Sequence, residues 1–133
     1  MPLFELRTKQ PYDPNVFDEM KATAIRLLDN AEKEQNTQAI VLCSSTKTEY
    51  SAIIKNACSR ELTEEKALLE KLKIANDTEI RYVLCMWQNN EIDIPSFAFR
   101  KMMMELETKN TESLIFVLTA DGVSSIKLST TMK

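Results

Sequence analysis

Histidine is absent from this 133-residue chain. That removes Ser-His-Asp and Cys-His nucleophile activation, histidine acid–base work and every metal site that needs an imidazole. Glycine occurs once, at Gly122, where average usage would give about nine. Phosphate-cradling loops need several glycines so that backbone N–H groups can approach the ligand, so a P-loop and a dinucleotide fingerprint are both excluded. The three cysteines, Cys43, Cys58 and Cys85, are an odd number with no C-x-x-C spacing. They cannot form a four-thiolate zinc site, and their apolar neighbours suggest buried free thiols in a reducing compartment. No D-x-D-x-D-G calcium loop is present. Neither a metal nor another cofactor is expected. No apolar run approaches the roughly 20 residues that span a bilayer. The first residues, Met1 to Arg7, lack the charged-then-apolar order of a signal peptide. A cytoplasmic or nuclear protein without membrane contact is the expectation.

What is present suits a packed globule. The length is that of one domain, taken as residues 1–133. Apolar residues make up 44%, and the 28% that are charged mix both signs, as on a solvated surface. The net charge of −3 and scattered Lys and Arg, with Arg100-Lys101 the nearest to a basic pair, argue against nucleic acid as a partner.

Periodicity supplies the elements. Phe4 to Arg7 alternates as a short edge strand does. Asp13-Pro14 is a helix start, and Phe17, Met20, Ala24, Leu27, Leu28 and Ala31 recur at helical spacing to about Glu34. Gln38 to Ser44 holds the apolar run of a buried strand. Thr46 and Glu49 have capping-box spacing, which predicts a second helix with Tyr50, Ile53, Ile54 and Ala57 on its apolar face. A third helix is expected from Thr63, with Glu64 and Glu65 in its first turn. Ile80 to Trp87 reads as a strand. Pro95-Ser96 opens a fourth helix to Leu106. Leu114 to Thr119, the Asp121-Gly122 turn and Val123 to Leu128 form a hairpin. The predicted fold class is α/β, a single small domain with a mixed sheet of about five strands. The order is β-α-β-α-α-β-α-β-β, parallel in the middle and closing on the hairpin.

Two segments carry candidate sites. Ser44, Ser45, Thr46 and Lys47 lie at the expected strand-to-helix turn, where free N–H groups, hydroxyls and an ammonium could receive an anionic ligand. Phe97, Lys101 and Met104 lie on the fourth helix. Phe97 and Met104 fall away from the stripe Phe99, Met102, Met103 and Leu106, and such Phe and Met side chains suit partner binding. The paired acids Asp18-Glu19, Glu64-Glu65 and Glu91/Asp93 read as solvated surface, and no catalytic residue is assigned. The expected function is a non-catalytic protein–protein interaction module, an adaptor or complex subunit that binds another protein or its own copy. A small enzyme or binding protein acting on an anion at Ser44–Lys47 is the alternative drawn from the residues themselves.

A further alternative comes from resemblance. Asp77-Thr78-Glu79-Ile80-Arg81-Tyr82-Val83, and the stretch from Leu114 through Asp121-Gly122-Val123-Ser124-Ser125-Ile126-Lys127, resemble segments of the actin-depolymerising factor (cofilin-like) family. That resemblance implies an actin-binding module in which Lys127 would touch actin.

Overall fold

The computed structural model describes residues 10–32, 36–57 and 61–132. The expected edge strand at Phe4 to Arg7 lies outside them, as does Cys58. In chain order the elements are α1 (Pro14–Asn30), β1 (Gln38–Ser44), β2 (Glu49–Ile54), α2 (Thr63–Ile74), β3 (Ile80–Trp87), β4 (Ile92–Asp93), α3 (Phe97–Leu106), β5 (Leu114–Thr119), β6 (Gly122–Lys127) and α4 (Leu128–Thr131). A 3₁₀ turn at Thr108–Glu112 precedes β5.

The chain is thus an α/β domain with a mixed sheet, ordered β2-β1-β3-β5-β6, with β4 paired to β3. Among the described strands only β3 and β5 run parallel; β1 is antiparallel to both β2 and β3. Direction in the middle of the sheet therefore differs from expectation. The cause is local: residues 46–57 do not form a helix, and β2 returns directly alongside β1, pairing Leu42 with Tyr50 and Ala39 with Ile53. With no crossover between β1 and β2, the hairpin is antiparallel.

Period-two alternation along the strands divides the core into two. Ile40 and Leu42 of β1, Val83 and Cys85 of β3, and Ile115 and Val117 of β5 face α2 and α3, meeting Leu68, Leu72, Phe99 and Met103. Ala39, Val41, Tyr82, Leu84, Met86 and Phe116 face the other way, onto Phe17, Met20, Ala24 and Leu28 of α1. Helix α1 starts where expected, with Asp13 capping the N–H of Asn15 at 2.9 Å and Pro14 in the first turn. Gly122 adopts φ +112° in the β5–β6 turn, the conformation that explains the chain's single glycine. Among the described residues no helix is long and apolar enough to cross a membrane.

Candidate functional site

Helix α2 brings an acid inside. Its N-cap, Leu62, is left-handed with φ 55° and caps with no side chain. Glu64 turns outward, and its carboxylate accepts from the N–H of Lys55 at 3.1 Å. Glu65, one residue on, shares a helix face with Leu68, Leu69 and Leu72 at i+3, i+4 and i+7. That spacing buries it to 4% exposure beneath the sheet face formed by β1 and β3. Burial pushes the Glu65 carboxyl above its ordinary value of 4.5; its own backbone N–H opposes the rise and the neighbouring Glu64 adds to it. Its charge also bears on the thiol of Cys85, which burial, then Asp93, then Glu65 drive upward. Among the described residues no other side chain pairs with it. The reading of Glu64-Glu65 as solvated surface is thus corrected for Glu65. The signal was in the sequence, as an acid at the head of a Leu-Leu-Leu stripe.

Helix α3 packs beside α2 on the same sheet face. Ser96 caps it, its Oγ accepting from the N–H of Phe99 at 3.2 Å, and Phe99 is fully buried. Arg100 is buried as well. Its Nε donates to the Pro95 carbonyl at 3.0 Å and one terminal nitrogen to the Thr131 carbonyl at 2.9 Å, which ties the α3 entry to α4. Its guanidinium also lies 5.7 Å from the centre of the Phe97 ring. Of the three residues proposed from sequence on this helix, Phe97 is 58% exposed and Lys101 is exposed, whereas Met104 is half-buried against the core.

Ser44–Lys47 lies in the β1–β2 turn rather than at a strand-to-helix passage. Lys47 is left-handed there, with φ 67°. The hydroxyls of Ser44, Thr46 and Tyr50 all donate to one carboxylate oxygen of Asp77, at 2.7, 2.8 and 2.9 Å. Ser45 donates its N–H to the Glu79 carbonyl at 2.9 Å. The hydroxyls thus serve an anion supplied by the chain itself. Burial alone would raise the Asp77 carboxyl, but the three hydroxyl donors outweigh it and hold the group below its ordinary 3.8. Ser44 and Lys47, with Cys43, Tyr82, Arg81 and Asp13, line a cleft of about 570 Å³ on the α1 side of the sheet.

The Asp77 cluster makes a prediction. Asp77→Ala removes the common acceptor of three hydroxyls, of which Ser44 and Thr46 keep each other at 2.9 Å, and is expected to cost about 2 kcal/mol at pH 7, since hydrogen bonds to charged groups are each worth roughly 1.5–3 kcal/mol. Because the native-state carboxyl titrates below its ordinary value, its contribution is fully present above pH 3.8 and fades as the pH falls through the folded value. The difference between wild type and variant in urea unfolding should therefore shrink below that pH. A difference as large at pH 2.5 as at pH 7 would show that the charge is not what binds the hydroxyls.

No protein-family model matches the sequence, and no curated protein matches it. Solved structures do. The cytidine deaminase of Mycobacterium leprae aligns over 87% of this chain and 96% of its own, with TM-score 0.64 and 15% identity. The cytidine deaminase of Mycobacterium tuberculosis aligns over 86% and 92%, with TM-score 0.65 and 12% identity. That of Burkholderia pseudomallei aligns over 85% and 93%, with TM-score 0.62 and 13% identity. At these identities the likeness is one of fold. It nevertheless overturns the expected non-catalytic interaction module, and with it the adaptor or complex-subunit role, because the architecture is one that enzymes use over nearly its whole length. The absence of histidine and the single glycine exclude particular designs, His-based activation and glycine-rich phosphate loops, and not catalysis as such. The cofilin-like alternative falls as well. Gly122–Lys127 is a full strand paired to β5 and not the turn into a helix that the resemblance implies.

Proposed function

We propose that this chain receives the base of a pyrimidine nucleoside, or a ligand with the same amidine edge, at the carboxyl of Glu65. One observation carries the reading: a buried carboxyl without a side-chain partner among the described residues, in the first turn of α2, in a domain whose fold is shared with cytidine deaminases. A carboxyl pushed upward by burial retains a proton more readily, and in that form offers an O–H donor beside a carbonyl acceptor. Cytosine presents the complement, a ring-nitrogen acceptor beside an amino donor, and enzymes that act on free or flipped bases read that edge. The same group can pass a proton to or from the base, so the reading gives Glu65 acid–base capacity as well as recognition. The buried, unpaired thiols Cys43 and Cys85 suit a reducing compartment, and we place the protein in cytosol or nucleus on that ground.

The test is a thermal-shift and calorimetric titration with cytidine and deoxycytidine. Millimolar nucleoside should raise the melting temperature of the wild type. Glu65→Ala should lose the shift while keeping its circular dichroism spectrum. The proposal is abandoned if neither nucleoside moves the wild-type transition, or if Glu65→Ala responds as strongly as wild type.

A further inference from the structure

Zinc deaminases of nucleobases carry a recognisable frame. A histidine or cysteine ligand stands two residues before the acid–base glutamate, and a second segment, P-C-x-x-C, supplies two more sulfurs. This chain has a glutamate and a proline at the spacing of that frame and none of its donors. At the head of α2 it reads Thr63-Glu64-Glu65, and at the head of α3 it reads Pro95-Ser96-Phe97-Ala98-Phe99.

We propose that this site is built without zinc: the glutamate of the frame is kept as Glu65, while Thr63, Ser96 and Phe99 stand where the metal donors would be. The donor chemistry supports this position by position. Zinc in such a site needs three protein donors, thiolate, imidazole or carboxylate, at about 2.0–2.3 Å. Thr63 offers a neutral hydroxyl. The Ser96 hydroxyl is committed to capping α3 through the Phe99 N–H at 3.2 Å. Phe99 has no lone pair, and its ring is fully buried in the core with Leu68 and Cys85. Other donors nearby are engaged or ill-suited. One Asp93 oxygen accepts from the Trp87 indole at 2.9 Å and the other from the Ile94 N–H at 2.8 Å. Cys85 is buried, where the thiol is favoured over the thiolate a metal requires. Cys43 belongs to the core on the opposite face of the sheet. Among the described residues no three His, Cys, Asp or Glu side chains are grouped to hold a metal.

The consequence concerns Glu65. Without a dication beside it, the carboxyl would act through its own hydrogen bonding rather than as the partner of a metal-activated water. This inference is separable from nucleoside binding, since the chain can be zinc-free whether or not cytidine binds.

The experiment measures metal, not activity. The full chain, expressed in zinc-supplemented medium, should carry well under one zinc per molecule by mass spectrometry, and EDTA should leave its melting temperature unchanged. Close to one zinc per chain, with a lower melting temperature after chelation, would overturn the proposal. A second variant tests the frame itself. Thr63→Cys/Ser96→Cys leaves the Phe99 core intact and places two thiols at the donor positions. On titration with cobalt(II) it should develop a thiolate-to-metal absorption band that wild type lacks. A folded double variant with no such band would show that the two helix heads do not converge as the frame requires.

Discussion

Replacing Phe116 by alanine is expected to destabilise the domain by about 4 kcal/mol, the upper range for truncating a buried aromatic. Phe116 stands in the middle of β5 with no exposed surface. Its ring stacks on Tyr82 of the adjacent strand, with centroids 5.5 Å apart and planes 4° from parallel. Tyr12 and Phe17 meet it edge-on at 5.1 and 4.9 Å. Each such pair adds about 0.5–1.5 kcal/mol beyond burial, so alanine loses the ring, its three aromatic neighbours and the filling of the space between them. That is a large share of the total for a domain of this size, about 5–15 kcal/mol. Tyr12 precedes α1 and Phe17 is in its first turns, so the loss should fall on the docking of α1 against the sheet. Urea unfolding followed by tyrosine fluorescence and by circular dichroism measures it. Phe116→Leu, which refills most of the volume, should lose clearly less. Equal losses for leucine and alanine would mean that the aromatic geometry contributes nothing beyond size.

The sequence shows most of this fold where one element's own pattern is sufficient. The start of α1 is legible from Asp13-Pro14, β1 from its apolar run, α3 from Ser96, and the β5–β6 turn from Asp121-Gly122. Each signal is confined to neighbours within a few residues. The reading fails at residues 46–57, where Thr46 and Glu49 have the spacing of a capping box. The hydroxyl of Thr46 bonds Asp77 instead, 31 residues away. Tyr50, Ile53 and Ile54 are types that favour strands, and pairing with β1 settles the ambiguity. No local pattern contains that partner. The direction of the central strands is lost with the same element, because a helix there would have been the crossover.

The candidate site divides in the same way. Attention to Ser44–Lys47 finds residues that converge, but on Asp77, whose side chain only the folded chain brings to them. Glu65 was legible, since its spacing from Leu68, Leu69 and Leu72 places a charge on a core face. Such a residue is a departure from pattern rather than a motif, and first-turn acids are so often explained by the helix dipole that the departure is easily passed over. The frame proposed to join α2 to α3 is harder still. Its donor positions hold Thr63, Ser96 and Phe99, which read locally as a first-turn residue, a cap and a core residue.

Asn110→Leu should be nearly as damaging as the loss of Phe116, through a different mechanism. Asn110 is fully buried in the 3₁₀ turn before β5. Its Oδ1 accepts from the backbone N–H of Ile80 at 2.8 Å, and its Nδ2 donates to the carbonyls of Thr78 and Met103 at 3.0 and 2.9 Å. One side chain therefore satisfies the first amide of β3, the chain leading into it and a carbonyl of the last turn of α3. Leucine matches its volume approximately but satisfies none of these groups, so three backbone groups, two of them buried, would each lose a partner at about 1–3 kcal/mol for a buried one. Partial relaxation lowers the sum, and a loss of about 3–5 kcal/mol is expected. Hydrogen exchange distinguishes this mechanism from simple misfit. In a variant that remains folded, the Ile80 amide should lose protection selectively, while Val83 and Leu84 within β3 keep theirs relative to the lowered global stability. Uniform loss along β3 would mean that Asn110 acts through packing alone. Selective loss at Ile80 would establish it as the pin that fixes where β3 begins beside α3, the same face of the sheet on which Glu65 is buried.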